Sequence, residues 1–218
     1  MTTWSLHMAA ERRDTANRPA WSHRAGAMML ERPRNILVRP STEDDVPAML
    51  SIYINHIRRG LGAFDVEPLL SEDIKRRRKN MLKRRLPHLV AELDGAVIGY
   101  AYAVPFRKRP AYRYAVKNSI YVHPDHLHAG VGRQLLPALI EACAAAGFRQ
   151  MIAYIDAGNA PSLSLHESFA FARIGVLKGV GFKYGCWIDS VLMQRSLGAG
   201  DAAPPRDYDG LPIPQDAL

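Results

Sequence analysis

The stretch from Ser119 to Leu136 carries the chain's clearest chemical pattern. An apolar run, Ile120-Tyr121-Val122, leads through a polar connection (His123–Ala129) into Gly130-Val131-Gly132-Arg133 and then into apolar residues at helical spacing. A helix that begins on glycines offers unpaired backbone N–H groups and the positive end of its macrodipole, and the missing side chains let an anionic oxygen approach closely. That arrangement suits a pyrophosphate; an ordinary loop is the alternative reading. The third glycine of a dinucleotide fingerprint and the Lys-Ser/Thr pair of a P-loop are both missing, which disfavours those two nucleotide folds. His166 is the other chemical candidate, because a histidine can supply or relay a proton near neutral pH.

The elements that must hold these residues can be read from pattern. Ile36–Arg39 reads as a short strand. Pro40, Ser41 and the acidic Glu43, Asp44 and Asp45 then supply an N-cap and a negative first turn for a helix running through Arg58. A basic helix is expected over Ser71–Arg85. Leu89–Leu93 and Ala96–Val104 are strands joined at Asp94-Gly95, a strong hairpin signal. Tyr114–Val122 is a further strand, Gly130–Ala146 a long helix, and Met151–Asp156 a strand. Pro161–Phe169 is a short helix opened by Asn159 or a neighbour, and Arg173–Lys178 and Trp187–Gln194 are the closing strands. The order β α α β β β α β α β β predicts a mixed α/β domain, with an antiparallel hairpin region followed by a βαβ unit.

The expected organisation is an extension over 1–34, one domain over 35–197 and a Pro- and Asp-containing flexible tail over 198–218. Met28 and Met29 stand as alternative starts just before the first strand. Of 218 residues 48% are hydrophobic and 23% charged, which is ordinary globular composition. No apolar run approaches the roughly 18 residues of a membrane span, and Glu11, Arg12 and Arg13 sit where a signal peptide needs its apolar block. A soluble, cytoplasmic protein without a membrane partner is the expectation. Cys143 and Cys186 are too few for a disulfide framework and too far apart for a paired metal knuckle, so no metal is expected. The net charge of +8 admits nucleic acid, an anionic surface or a polyanionic small molecule. Much of it lies in Lys75, Arg76, Arg77, Arg78, Lys79, Lys83, Arg84 and Arg85. Consecutive charges point all round a helix and make no single stripe, so this segment reads as a solvated face, and no nucleic-acid partner is expected.

The chain resembles the GCN5-related N-acetyltransferase superfamily, in its phosphinothricin acetyltransferase branch. The resemblance spans about 36–197. It rests on I-L-V-R-P-S-T-E-D-D (36–45), G-A-F-D-V-E-P (62–68), P-F-R-K-R-P-A-Y-R-Y-A-V (105–116), S-I-Y-V-H-P-D (119–125) with G-V-G-R-Q-L-L (130–136), N-A-P-S-L-S-L-H-E (159–167) and the closing G-V-G-F-K-Y-G-C-W-I-D-S-V-L-M-Q (179–194). It implies a single domain with a central, mostly antiparallel mixed sheet of splayed strands flanked by helices.

The implied activity is acetyl transfer from acetyl-CoA, the cosubstrate, to the primary amine of a small amino acid or analogue of the phosphinothricin or methionine sulfoximine kind. The implied assembly is a homodimer. Ile120, Tyr121 and Val122 would pair with the pantetheine arm, His128, Ala129, Gly130, Val131, Gly132 and Arg133 would cradle the pyrophosphate, and Asn159 would bond the pantetheine. His166 would act as catalytic acid or proton relay for the departing thiolate. Phe64, Phe106, Arg107, Tyr112 and Arg113 match acceptor-pocket positions, where arginine favours a carboxylate or phosphinate.

Two positions depart from the family pattern. Lys117 stands where the pattern has the glutamate that deprotonates the acceptor, and a protonated lysine cannot do this, so Lys117 is expected to anchor an anionic acceptor instead. Leu127-His128-Ala129 replaces a more cationic phosphate loop. A degenerate acetyl-CoA-binding protein, and a peptide or nucleic-acid partner for the basic helix, are the competing readings.

Overall fold

The computed structural model describes residues 35–58 and 69–205. Phe64 and the rest of 59–68, the extension 1–34 and tail residues 206–218 lie outside the described residues. The strands are β1 (Leu37–Pro40), β2 (His88–Leu93), β3 (Ala96–Pro105), β4 (Ala115–Val122), β5 (Gln150–Asp156), β6 (Ala172–Lys183) and β7 (Cys186–Ser196). The helices are α1 (Val46–Arg58), α2 (Ser71–Lys83), α3 (Val131–Ala145) and α4 (Ala160–Ser168), and the order is the one expected from pattern.

Two local expectations need correction. Glu43, Asp44 and Asp45 lie ahead of the first turn of α1 rather than in it. The reason is that Asp45 is already committed. Arg39 donates two hydrogen bonds of 2.8 Å to its carboxylate, and the Thr42 N–H donates a third at 2.6 Å, which closes a turn before the helix begins. The Arg39 guanidinium, helped by Thr42 against the effect of burial, holds the Asp45 carboxyl down to about 2. The second correction is that β6 runs to Lys183, well past Lys178, because register shifts at Arg173/Gly175 and Leu177/Gly181 let a glycine-rich strand stay paired with β7.

One seven-stranded sheet runs in the order β1-β2-β3-β4-β5-β7-β6. Every neighbouring pair is antiparallel except β4 and β5. That parallel pair is short. It is in register only from Ala115↔Gln150 to Lys117↔Ile152, after which β4 continues against β3 to Val122 and β5 continues against β7 to Asp156. The two strands therefore diverge into a wedge at the middle of the sheet.

Side-chain alternation assigns the two faces. Val116, Ile120 and Val122 of β4 join Ala101, Ala103, Met151, Ala153 and Ile155 in the core under α3. Tyr121 joins Val90, Tyr100 and the α1 residues Val46, Met49, Ile52 and Tyr53 in the core on the other face. Gly99, Ala101 and Ala103 give β3 a row of small residues under α3. A Cβ on Gly99 would stand 2.9 Å from Val131 Cγ1 and 3.0 Å from the Tyr121 carbonyl oxygen, so α3 is docked with its first residue against the β3 and β4 backbones. No helix among the described residues is long and apolar enough to cross a membrane.

Candidate active site

The wedge is the candidate site. A cavity of about 1220 Å³ opens between β4 and β5 and reaches both faces of the sheet, since its walls include Lys117 and Tyr154 from one face and Asn118, Ala153 and His166 from the other. Its backbone wall follows from the β3–β4 ladder. Phe106 N–H donates to the Ala115 carbonyl at 3.0 Å and His123 N–H to the Ile98 carbonyl at 2.8 Å. Peptide groups of an antiparallel strand alternate in direction, so those of Lys117, Ser119 and Tyr121 face β3 while those of Asn118, Ile120 and Val122 face the wedge. Val122 is met there by α1: its carbonyl accepts a 2.8 Å bond from His56 Nε2. Ile120 has no strand partner on this side, leaving an edge that an extended amide-bearing ligand can pair with.

At the end of β4 the chain makes a turn at Pro124–His126 and enters α3 with Gly130 as the N-cap, at φ +83°. A side chain there would be strained, and without one the N–H groups of the first turn stand clear. His128, Gly130, Val131, Gly132 and Arg133 all line the cavity beside these groups. Ala129 does not; it packs against the core under α3. Arg133 is exposed, its guanidinium 5.9 Å from the Phe169 ring. Asn159 caps α4 by accepting a 3.1 Å bond from Ser162 N–H, which leaves its Nδ2 for a ligand. Gly132 also meets α4 closely, a Cβ there standing 2.9 Å from Leu165 Cδ2.

His166 is buried on the α3 face. Its Nδ1 lies 2.8 Å from the Ser162 carbonyl, which can only accept, so Nδ1 carries the proton. Nε2 is then a bare acceptor and takes a 2.8 Å bond from Asn118 Nδ2. Burial pushes the imidazole below its ordinary pKa, with the Ser162 carbonyl acting in the opposite direction. The ring is therefore neutral at pH 7, an acceptor of a proton before it can be a donor. Lys117 faces the opposite side of the sheet, its Nζ 5.6 Å from the centre of the Tyr154 ring.

The remaining acceptor candidates form a separate group. Phe106 and Tyr112 pack edge to face at 5.6 Å, with the Arg107 guanidinium over both rings, and Arg113 lies over Tyr114. Arg107 and Tyr112, with Lys108 and Arg109, line a smaller pocket of about 420 Å³ and not the wedge.

Several cavity residues are not among the candidates drawn from the sequence. His56, Asn118, Tyr154 and Ser190 line the wedge, as do Arg77 and Asn80 of α2. The signal for Asn118 was strand alternation, which sets it on the face opposite Lys117. Asn118 Oδ1, His126 Nδ1 and Ser190 Oγ are buried without a hydrogen-bond partner, and all three residues belong to this cavity. Such orphaned atoms, an open strand edge and a bare helix N-terminus are the donor and acceptor set that an extended amide chain ending in a pyrophosphate would satisfy. Among the described lining residues the charged side chains are Arg77, Lys117 and Arg133, and none is a carboxylate.

Comparison with known proteins agrees with that geometry. Residues 47–171 match the acetyltransferase (GNAT) family model. The chain is 47% identical to the phosphinothricin N-acetyltransferase of Alcaligenes faecalis, over 77% of this chain and 86% of that one. It is 34% identical to the L-methionine sulfoximine/L-methionine sulfone acetyltransferase of Pseudomonas aeruginosa, over 77% and 98%. The crystal structure of a phosphinothricin acetyltransferase from Sinorhizobium meliloti in complex with acetyl-CoA superposes with a TM-score of 0.77 at 38% identity, covering 79% of this chain and 94% of that one.

Proposed function

The chain belongs to the GNAT acetyltransferase family, and on that premise we propose that it transfers the acetyl group of acetyl-CoA to the primary amine of phosphinothricin, methionine sulfoximine or a closely similar amino acid. The observation that carries the choice of acceptor is the wedge itself, whose described walls hold cations and no carboxylate. Such a cavity attracts an acid-bearing amine and repels a polyamine.

Ile120 and the neighbouring β4 edge would hold the pantetheine arm, Asn159 Nδ2 would bond it, and the N–H groups of the first turn of α3, with Arg133 nearby, would hold the pyrophosphate. Acetyl-CoA supplies an activated thioester carbonyl. The β4 N–H groups that face the wedge polarise its oxygen, the acceptor nitrogen attacks its carbon, and holding both substrates in one cavity supplies much of the acceleration.

Lys117 takes the place of the family's glutamate and performs a different task. It binds an anionic group of the acceptor, and as a nearby like charge it makes the acceptor ammonium easier to deprotonate. The proton passes to water or to the neutral Nε2 of His166 and ends on the departing sulfur. His166 acts as a relay in this scheme, since burial disfavours a standing imidazolium.

Coenzyme A release measured against phosphinothricin, methionine sulfoximine and methionine sulfone tests the assignment. Turnover of at least one is expected, and calorimetric acetyl-CoA binding with no turnover of any would instead establish a binding protein without catalysis. In the same assay Lys117→Met should raise the acceptor KM about tenfold and leave that of acetyl-CoA unchanged, and an unchanged acceptor KM defeats the anchoring role. His166→Asn should lower kcat. Because the neutral ring is the active form and its pKa is lowered, wild-type kcat should hold at pH 7 and decline only below the ordinary imidazole value of ~6.5. A decline that begins above it speaks against the relay.

The homodimer is part of the same proposal. The outer pair β6–β7 exposes Ile174, Val176, Val180, Phe182 and Trp187, the last two at 58% and 72%. The Phe182 and Trp187 rings lie 5.0 Å apart, and a cluster of exposed apolar side chains marks an interface. Phe182→Asp with Trp187→Asp is expected to halve the mass seen by light scattering. Leu177 and Val180 of the same strand also line the wedge, so the acceptor KM should rise with the loss of the dimer. A wild-type protein that is monomeric at micromolar concentration rules this out.

A further inference from the structure

We propose that Arg77 is a specificity-determining residue of the acceptor site, one that grips a second anionic group at the far end of the acceptor side chain. The inference rests on the acceptor reading above and deepens it: the preferred substrate class is an α-amino acid whose side chain ends in a phosphinate, sulfonate or carboxylate.

α2 provides the geometry. Met81 is buried and lines the wedge, together with Tyr102 and Val104 of β3. Val104 lies directly opposite Lys117 in the β3–β4 register, and Tyr102 opposite Ser119. Arg77 is one helical turn before Met81, on the same side of α2, and it too lines the cavity, as does Asn80. The helix therefore sets an arginine at the rim of the compartment whose floor carries Lys117.

Three of its neighbours in the basic run are occupied. Lys75 pairs with Glu72 at 3.3 Å, Arg76 pairs with Asp73, and Arg78 donates a 2.7 Å bond to Ser41 Oγ. Arg77 has no acidic partner among the described residues, and the wedge offers none. A guanidinium without an internal counterion, long enough to swing over the opening, is suited to bidentate recognition of a carboxylate or phosphinate. An acceptor such as phosphinothricin carries two anionic groups on either side of its reactive amine, and Lys117 and Arg77 supply one cation for each. Methionine sulfone keeps the α-carboxylate but ends in a neutral group, so it can use only one of them.

The test is calorimetric binding of L-phosphinothricin and of L-methionine sulfone to the full chain saturated with coenzyme A, in the wild type, Arg77→Gln and Arg77→Lys, with the kinetic constants measured alongside. Arg77→Gln should weaken phosphinothricin about tenfold, with a loss for methionine sulfone at least fivefold smaller, and Arg77→Lys should recover part of the difference. Equal losses for both ligands, no loss for either, or a rise in the acetyl-CoA KM in place of the acceptor's would each overturn the assignment. Binding does not require turnover, so phosphinothricin that binds without being acetylated defeats the activity and leaves Arg77 to be judged on affinity alone. A wild type that binds no phosphinothricin defeats both.

Discussion

Ile120→Pro is expected to leave the sheet folded and to lower kcat/KM for acetyl-CoA about 100-fold or more, while Tyr121→Pro, one residue away, destroys the fold. The difference lies in which way each N–H points. The bonds from Phe106 N–H to Ala115 and from His123 N–H to Ile98 fix the phase of the β3–β4 ladder, so Tyr121, opposite Tyr100, spends its N–H on β3. Proline there removes a ladder bond from a central strand and drives its ring into the neighbouring backbone, at a cost of about 3 kcal/mol or more. Ile120 points its N–H into the wedge, where β5 has already turned away. A proline ring at that position enters the cavity and costs the sheet no bond. What is lost is the donor that would hold the pantetheine or polarise the thioester oxygen, and one such donor is worth about 100- to 1,000-fold in rate. Thermal melts and coenzyme A release on the two variants decide the matter. If Ile120→Pro melts near wild type and keeps its activity within threefold, the open β4 edge is not the cofactor's binding edge.

The sequence pattern located this wall but not its opening. The apolar run Ile120-Tyr121-Val122 made β4 legible, and Gly130-Val131-Gly132 marked the start of α3, because both are local signals. The gap depends on where β4 and β5 stop pairing, after Lys117↔Ile152, and that register is set by β7 holding β5 and β3 holding β4. No local run encodes it. The same limit explains the basic helix. Five consecutive charges, Lys75 to Lys79, point all round α2 and read as a solvated face; only the burial of Ile74 and Met81 fixes the rotation of the helix and turns Arg77 toward the cavity. His166 was legible as a candidate for proton transfer, whereas its neutral state was not, since that follows from contact with the Ser162 carbonyl and with Asn118, 48 residues earlier in the chain. The family resemblance placed an acceptor group around Phe106, Arg107, Tyr112 and Arg113. In the fold the strand and helix residues line the wedge, while Arg107 and Tyr112 of the β3–β4 loop form a pocket of their own.

Gly99→Val is expected to destabilise the fold through packing alone. Valine favours strands, so propensity alone would predict a neutral or stabilising change. Packing decides otherwise. A Cβ at this position meets Val131 Cγ1 at 2.9 Å, the Tyr121 carbonyl oxygen at 3.0 Å and Leu135 Cδ1 at 3.2 Å. The two side chains could shift, but the carbonyl belongs to the β4 backbone and is held in the ladder to β3. Val131 and Leu135 are themselves fully buried, with no free volume to move into. The remaining relief is to lift the N-terminus of α3 off the sheet. Overpacking of this kind costs about 3 kcal/mol, which in a domain of this size lowers Tm by roughly 10 °C. Because the lifted residues begin the turn whose N–H groups face the wedge, the acetyl-CoA KM should rise at temperatures where the variant is still folded, and the acceptor KM should change less. Gly175→Val, on the outer strand where a Cβ meets nothing within 4 Å, is the control and should move Tm little. A Gly99→Val protein with wild-type Tm would mean that α3 does not rest on β3 as closely as these distances require. A large drop in Tm with an unchanged acetyl-CoA KM would separate the docking of α3 from its part in binding phosphate.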